Sequence, residues 1–229
     1  MFEQITAKCL QRNFIEQIMT GYHFFPGETA SLQRVARALF ERMRGEALWD
    51  HNIFRNDEGG VMSRVVMTLG PGVDALQEEY TLQGKLTESY MVEVLAGELL
   101  LLAYKAYNEW VATHTVYHVG RYYFLADVPG VDPAYHIREL PGFLKQVDVP
   151  VTCNEAYCML PRKSVAFYAK LTEEEVDCPG VCMDCGRLDC PNRMAHTKQK
   201  MWDLADLIHR PLPYGYEQIL GKWEGSGER

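Results

Sequence analysis

Four cysteines within thirteen positions, Cys178, Cys182, Cys185 and Cys190, constrain this chain more than any other feature. The run reads CPGVCMDCGRLDCPNR, and Pro179, Gly180, Asp184, Gly186, Arg187 and Asp189 stand between the thiols. A buried cysteine packs as a small hydrophobe. A segment this polar and this rich in turn residues has little core to offer one. The run therefore reads as a loop that folds around a metal or a cluster.

The spacing is C-x3-C-x2-C-x4-C, followed by Pro191. Zinc sites commonly use two ligand pairs separated by about a dozen residues or more, which leaves room to close a tetrahedron. Closely spaced thiolates ending in Cys-Pro are an iron–sulfur pattern, although the spacing here is not that of ferredoxins. An iron–sulfur cluster ranks first, as 4Fe-4S, because three close thiols and a more distant fourth suit a cubane. Structural zinc ranks second, and disulfides or free thiols third. C-x3-C-x2-C also occurs in radical enzymes that cleave S-adenosylmethionine. Those carry it near the start of a barrel, and too little chain follows Cys178 for one.

At 229 residues, 47% of them hydrophobic, the chain reads as one domain or one domain with a small appendage. No stretch approaches the roughly 18 consecutive apolar residues of a membrane span. The opening MFEQITAKCLQRNF has no apolar signal-peptide core. The expectation is a cytoplasmic protein with no membrane partner, where thiols stay reduced and clustered cysteines bind metal. A formal net charge of −8 speaks against a nucleic-acid partner.

Phe14, Ile15, Ile18 and Met19 fit one face of a helix ending near Gly21. Ser31 is placed to cap a second helix whose face carries Leu32, Val35, Ala36, Leu39 and Phe40. Val61 to Leu69 reads as a strand closed by Gly70-Pro71-Gly72, with a short helix over 73–83. The strongest helix runs from about Thr87, a candidate cap, to about His114. Met91, Val94, Leu95, Leu99, Leu102, Ala103, Ala106 and Trp110 form its apolar stripe, and Leu99 to Leu102 suit a buried central helix. Strands are expected over 117–125, 147–152 and 164–170, and short helices over 136–146 and 194–208. The fold class is α+β: a mixed or antiparallel twisted sheet, a long central helix and a C-terminal cysteine-rich metal loop. The expected organisation is an N-terminal helical segment over 1–60, an α+β core over 61–175, and the cysteine loop with a C-terminal helix over 176–229.

The stretch TCNEAYCMLPRKSVAFYAKL, Thr152 to Leu171, resembles a signature of the reactivation domain of cobalamin-dependent methionine synthase. In that family a Thr-Glu-Ser run precedes a Met-x-Pro turn and then Ser-Val. Glu155, Met159, Pro161, Ser164 and Val165 stand at matching spacing. TLGPGVD, the helix GKLTESYMVEVLAGELL and the run CMDCGRLDCPNR are also similar to small stand-alone relatives of that domain. The similarity covers roughly 61–193.

The resemblance implies docking on a corrinoid protein and reductive reactivation of its cobalt. The function expected is therefore a redox accessory protein for a corrinoid (cobalamin) methyltransferase system. The alternatives are a non-catalytic assembly module with structural zinc, or a scaffold relative that binds another small ligand. No nucleophile–base pair for hydrolysis or group transfer stands out. The resemblance also implies a ligand site containing Glu155, Arg121 and Gly130. The family binds S-adenosylmethionine with an Arg-x-x-x-Gly-Tyr motif. Here Ala126 stands at the arginine position, Val131 at the tyrosine position, and Arg121 is displaced. Loss of the bidentate guanidinium implies weak or no binding of S-adenosylmethionine. Arg162 and Lys163 are expected either as ordinary solvated turn charges or as free cations at a docking rim.

Overall fold

In the computed structural model, residues 2–125 and 132–176 are described. The cysteine run 178–190, the helix expected over 194–208, and Ala126, Gly130 and Val131 lie outside them.

The expected α+β class is found. Helices α1 (Phe2–Thr6), α2 (Arg12–Gly21) and α3 (Thr29–Met43) lead into strands β1 (Leu48–Arg55) and β2 (Val61–Thr68). Helices α4 (Pro71–Leu82) and α5 (Leu86–His114) follow, then β3 (His118–Phe124), α6 (Pro133–Arg138) and α7 (Leu140–Leu144). The short strands β4 (Thr152–Cys153) and β5 (Met159–Leu160) form a hairpin ahead of β6 (Ser164–Thr172). The main sheet has the order β1-β2-β6-β3, and every pairing between these strands is antiparallel.

The helices form because apolar residues recur at three- and four-residue intervals and bury one stripe. Phe14, Ile15 and Ile18 of α2 and Leu32, Val35, Ala36, Leu39 and Met43 of α3 are buried. Helix α5, with 29 residues and a length of about 43 Å, is buried on several sides through Met91, Val92, Leu95, Ala96, Leu99 and Ala103. These helices cover one sheet face and share a core with Val65, Met67, Phe167, Ala169 and Leu171. A smaller core on the other face joins Val66 and Ala166 to Leu140, Phe143, Leu144, Val149 and Val151.

Several local expectations need correction. Ser31 does not cap α3. The helix already begins at Thr29, and the Ser31 hydroxyl instead meets Glu88 of α5 and Arg34. Thr87 likewise lies inside α5, which starts at Leu86. The strand expected over 147–152 is reduced to Thr152–Cys153. Val149 and Val151 bury their side chains in the smaller core, and Pro150 has no N–H to give a ladder. Strand β1 falls inside the stretch expected to be helical. It is an edge strand with no buried residue, so its alternation is masked by Asp50, His51, Asn52 and Arg55. It pairs with β2 from Leu48↔Thr68 to Arg55↔Val61, so a boundary at residue 60 falls in the turn of a hairpin.

Gly70 and Gly72 have a steric purpose. Gly70 has φ +89°, and a Cβ there would lie 2.4 Å from Glu46 Cβ. A Cβ on Gly72 would lie 2.5 Å from the Arg42 carbonyl oxygen. Gly70→Ala is expected to destabilise the fold by more than about 2 kcal/mol, through the left-handed backbone and the clash together. A urea melt would measure it, and a loss below about 0.5 kcal/mol would contradict this close packing.

Candidate functional site: two braced turns and the hairpin between them

Two of the four segments named in the resemblance meet in space. Strand β2 ends in Thr68-Leu69-Gly70-Pro71-Gly72, and the turn Pro161-Arg162-Lys163 enters β6 beside it. The Leu69 N–H donates to the Lys163 carbonyl at 2.9 Å. Ser164 Oγ lies 2.8 Å from Thr68 Oγ1 and 2.7 Å from the Pro161 carbonyl oxygen. Both Thr68 and Ser164 are buried, so these bonds satisfy hydroxyls that would otherwise be costly to bury.

Ionic contacts brace the same junction. Asp74, in the first turn of α4, accepts from the Arg162 backbone N–H at 2.8 Å and from Arg162 Nε at 3.3 Å. Lys163 Nζ pairs with Glu93 of α5, and Gln77 Nε2 donates to the same carboxylate at 3.1 Å. Of the two expectations for Arg162 and Lys163, the structure corrects that of free cations at a docking rim. Both are paired, and the Lys163 side chain is only 14% exposed. Their partners lie 88 and 70 positions away in sequence, so no local pattern revealed them.

Partial burial alone would raise the Glu93 pKa, but the hydrogen bond and positive charge of Lys163 outweigh it and hold Glu93 below the usual carboxylate range. A depressed carboxylate contributes stability that is present above its unfolded pKa and lost as pH falls through the folded value. Lys163→Met is therefore expected to cost about 1 kcal/mol at neutral pH, discounted for the exposure of Glu93. The difference from the wild type should close as pH drops below the carboxylate range. Thermal melts of both proteins across that range test it, and a gap that persists in acid would place the effect in packing instead.

Gly70 caps α4 and Pro71-Gly72 open its first turn, where free N–H groups could hold an anion. The protein's own Glu46 already takes this role, with its carboxylate accepting from the Gly72 N–H at 2.7 Å. The turn is thus a structural junction, held by the protein's own carboxylate.

Glu155 sits in the exposed turn of the β4–β5 hairpin. Asn154 organises that turn. Its Oδ1 accepts from the backbone N–H groups of Ala156 and Cys158 at 3.0 and 2.9 Å. Tyr157 takes φ +59°, a left-handed conformation uncommon for a bulky side chain. Cys153, opposite Met159, packs on the smaller core, while Cys158 is exposed at the next position. Cys153 lies in the ladder and Cys158 in the turn before β5, and both thiols are free.

Arg121 lies elsewhere. It is on edge strand β3 opposite Lys170, six residues along β6 from Ser164, or about 20 Å of strand. Its guanidinium lies 5.1 Å from the centre of the Tyr123 ring. The hairpin turn with Glu155 and the strand position of Arg121 are therefore separate places on the fold, and Gly130 lies outside the described residues. Among the described residues, no three His, Cys, Asp or Glu side chains come together as a metal site would require. Also among these residues, no helix is long and apolar enough to cross a membrane. The chain matches no protein-family model and no curated protein.

Proposed function

We propose that this protein is a cytoplasmic redox accessory protein that supports reductive reactivation of a corrinoid methyltransferase system. The observation that carries the reading is the cysteine quartet Cys178, Cys182, Cys185 and Cys190, whose crowding in a polar run suits an iron–sulfur cluster. The braced junction of TLGPGVD with the turn before Ser164-Val165 supports it. Segments far apart in sequence, linked by the same resemblance, meet on one side of the fold.

The four thiolates would hold the cluster, and the cluster, when bound, supplies one-electron chemistry that no side chain of the chain offers. The α+β body provides a rigid frame for docking. The hairpin turn with Glu155 and Tyr157 is the exposed family-like element available to meet a corrinoid protein. With Ala126 and Val131 in place of arginine and tyrosine, S-adenosylmethionine is expected to bind at least about tenfold more weakly than a site with the charged hydrogen bond. Calorimetry yielding low-micromolar affinity (about 1–10 μM) would contradict this.

The function is tested by reduction of a cobalt(II) corrinoid protein by a low-potential donor, with and without this protein. Faster reduction in its presence, lost in a chain whose four cysteines are replaced by serine, is the expected result. No acceleration and no binding would defeat the proposal. The zinc-bound assembly module stays the second reading, because the same four thiolates also suit zinc.

A further inference from the structure

The two faces of the central strands differ sharply. Toward the helices, Ser63, Val65, Phe167, Ala169, Leu171 and Tyr122 are all buried. On the opposite face the smaller core covers Val66 and Ala166 and reaches the margin of Tyr168, whose ring centre lies 4.9 Å from that of Phe143. Beyond them, the register aligns two cross-strand rows. One reads Asn52, Arg64, Tyr168, Tyr123, and the next reads Phe54, Met62, Lys170, Arg121. None of these eight residues is buried; Asn52 and Lys170 are exposed and the others intermediate.

The chemistry of the rows is uneven. They hold Arg64, Lys170 and Arg121, the last already engaged with groups of its own, and no carboxylate, on a chain whose formal net charge is −8. The Arg64 guanidinium lies 3.8 Å from the centre of the Phe54 ring and 5.9 Å from that of Tyr168. Stacking of this kind orients a guanidinium while leaving its edge donors available to carboxylates. Arg, Tyr, Phe and Met are the side chains enriched at the centre of protein interfaces, and here they make up six of the eight positions.

We propose that this half-open sheet face docks an acidic surface of a partner protein. Charge selects the class of partner. A second copy meeting the same face would set Arg64 and Lys170 against their own equivalents, so a different, acidic surface is required. The assignment is independent of the cysteine cluster and of the corrinoid reading.

The test uses the full chain and two polyanions of matched charge, poly-L-glutamate and oligothymidylate, titrated at low and at moderate salt. Poly-L-glutamate should bind at low salt and weaken as salt rises. Arg64→Glu combined with Lys170→Glu should weaken it at least about tenfold. Arg64→Lys should keep only part of the affinity, since lysine cannot reproduce the stacked fork. If the double reversal fails to fold, Arg64→Gln with Lys170→Gln replaces it, and melting curves check each variant. No binding of poly-L-glutamate, or equal binding by the variants, overturns the proposal. Tighter binding of oligothymidylate than of poly-L-glutamate would assign the face to nucleic acid and overturn it equally. The cobalt reduction assay is untouched by either result.

Discussion

Phe167→Ala is expected to cost about 3–5 kcal/mol of stability, the range for removing a buried aromatic ring from a core. Phe167 is fully buried on β6, a strand with neighbours on both sides. Its ring centre lies 5.0 Å from that of Tyr104, 5.2 Å from Tyr122 and 5.9 Å from Tyr107. Tyr104 and Tyr107 belong to the long helix, so this one ring joins sheet to helix layer. Burial raises the pKa of both phenols, and they stay neutral in the folded protein. Urea unfolding should show a lower midpoint with an unchanged slope. A loss below about 1 kcal/mol would mean that the helix layer does not rest on the sheet at this point.

Cys185→Ser is expected to abolish metal binding while leaving the unfolding of the α+β body close to that of the wild type. Removing one of four thiolates breaks the donor set, and site formation is coupled to the folding of the segment that forms it. Both cores among the described residues are built from residues within 2–171, so the α+β body has a core of its own. Cys9→Ser serves as the contrast. That thiol is buried, donates to the Thr6 carbonyl at 2.9 Å, and is pushed up to about 12 by burial, all features of a packing residue. Its replacement should disturb stability and leave metal content unchanged. Metal retained by Cys185→Ser, or lost in Cys9→Ser with the fold intact, would contradict the assignment of the quartet.

The sequence was most legible where burial imposes a period. The stripes of α2, α3 and α5 and the strands β2 and β6 were found because their core-facing residues recur regularly. Strand β1 was not found, because an edge strand with polar residues on both faces has no such period. The strand expected over 147–152 failed for the opposite reason: its valines are buried without pairing. At the candidate site the turns at Gly70-Pro71-Gly72 and Pro161 were legible, but their partners were not. Asp74, Glu93 and Glu46 are ordinary surface carboxylates in the sequence, and only the fold brings them to Arg162, Lys163 and the Gly72 N–H. The cation-rich half of the sheet was hidden in the same way, since its rows draw one residue at a time from four separate strands.

The proposed function stands on an iron–sulfur cluster held by Cys178, Cys182, Cys185 and Cys190. Iron, acid-labile sulfide and zinc determined together on the anaerobically purified full chain test it most directly. The expected result is about four iron and four sulfide per chain, with visible charge-transfer absorption that bleaches on reduction. One equivalent of zinc without iron, or a chain with neither metal, would contradict it.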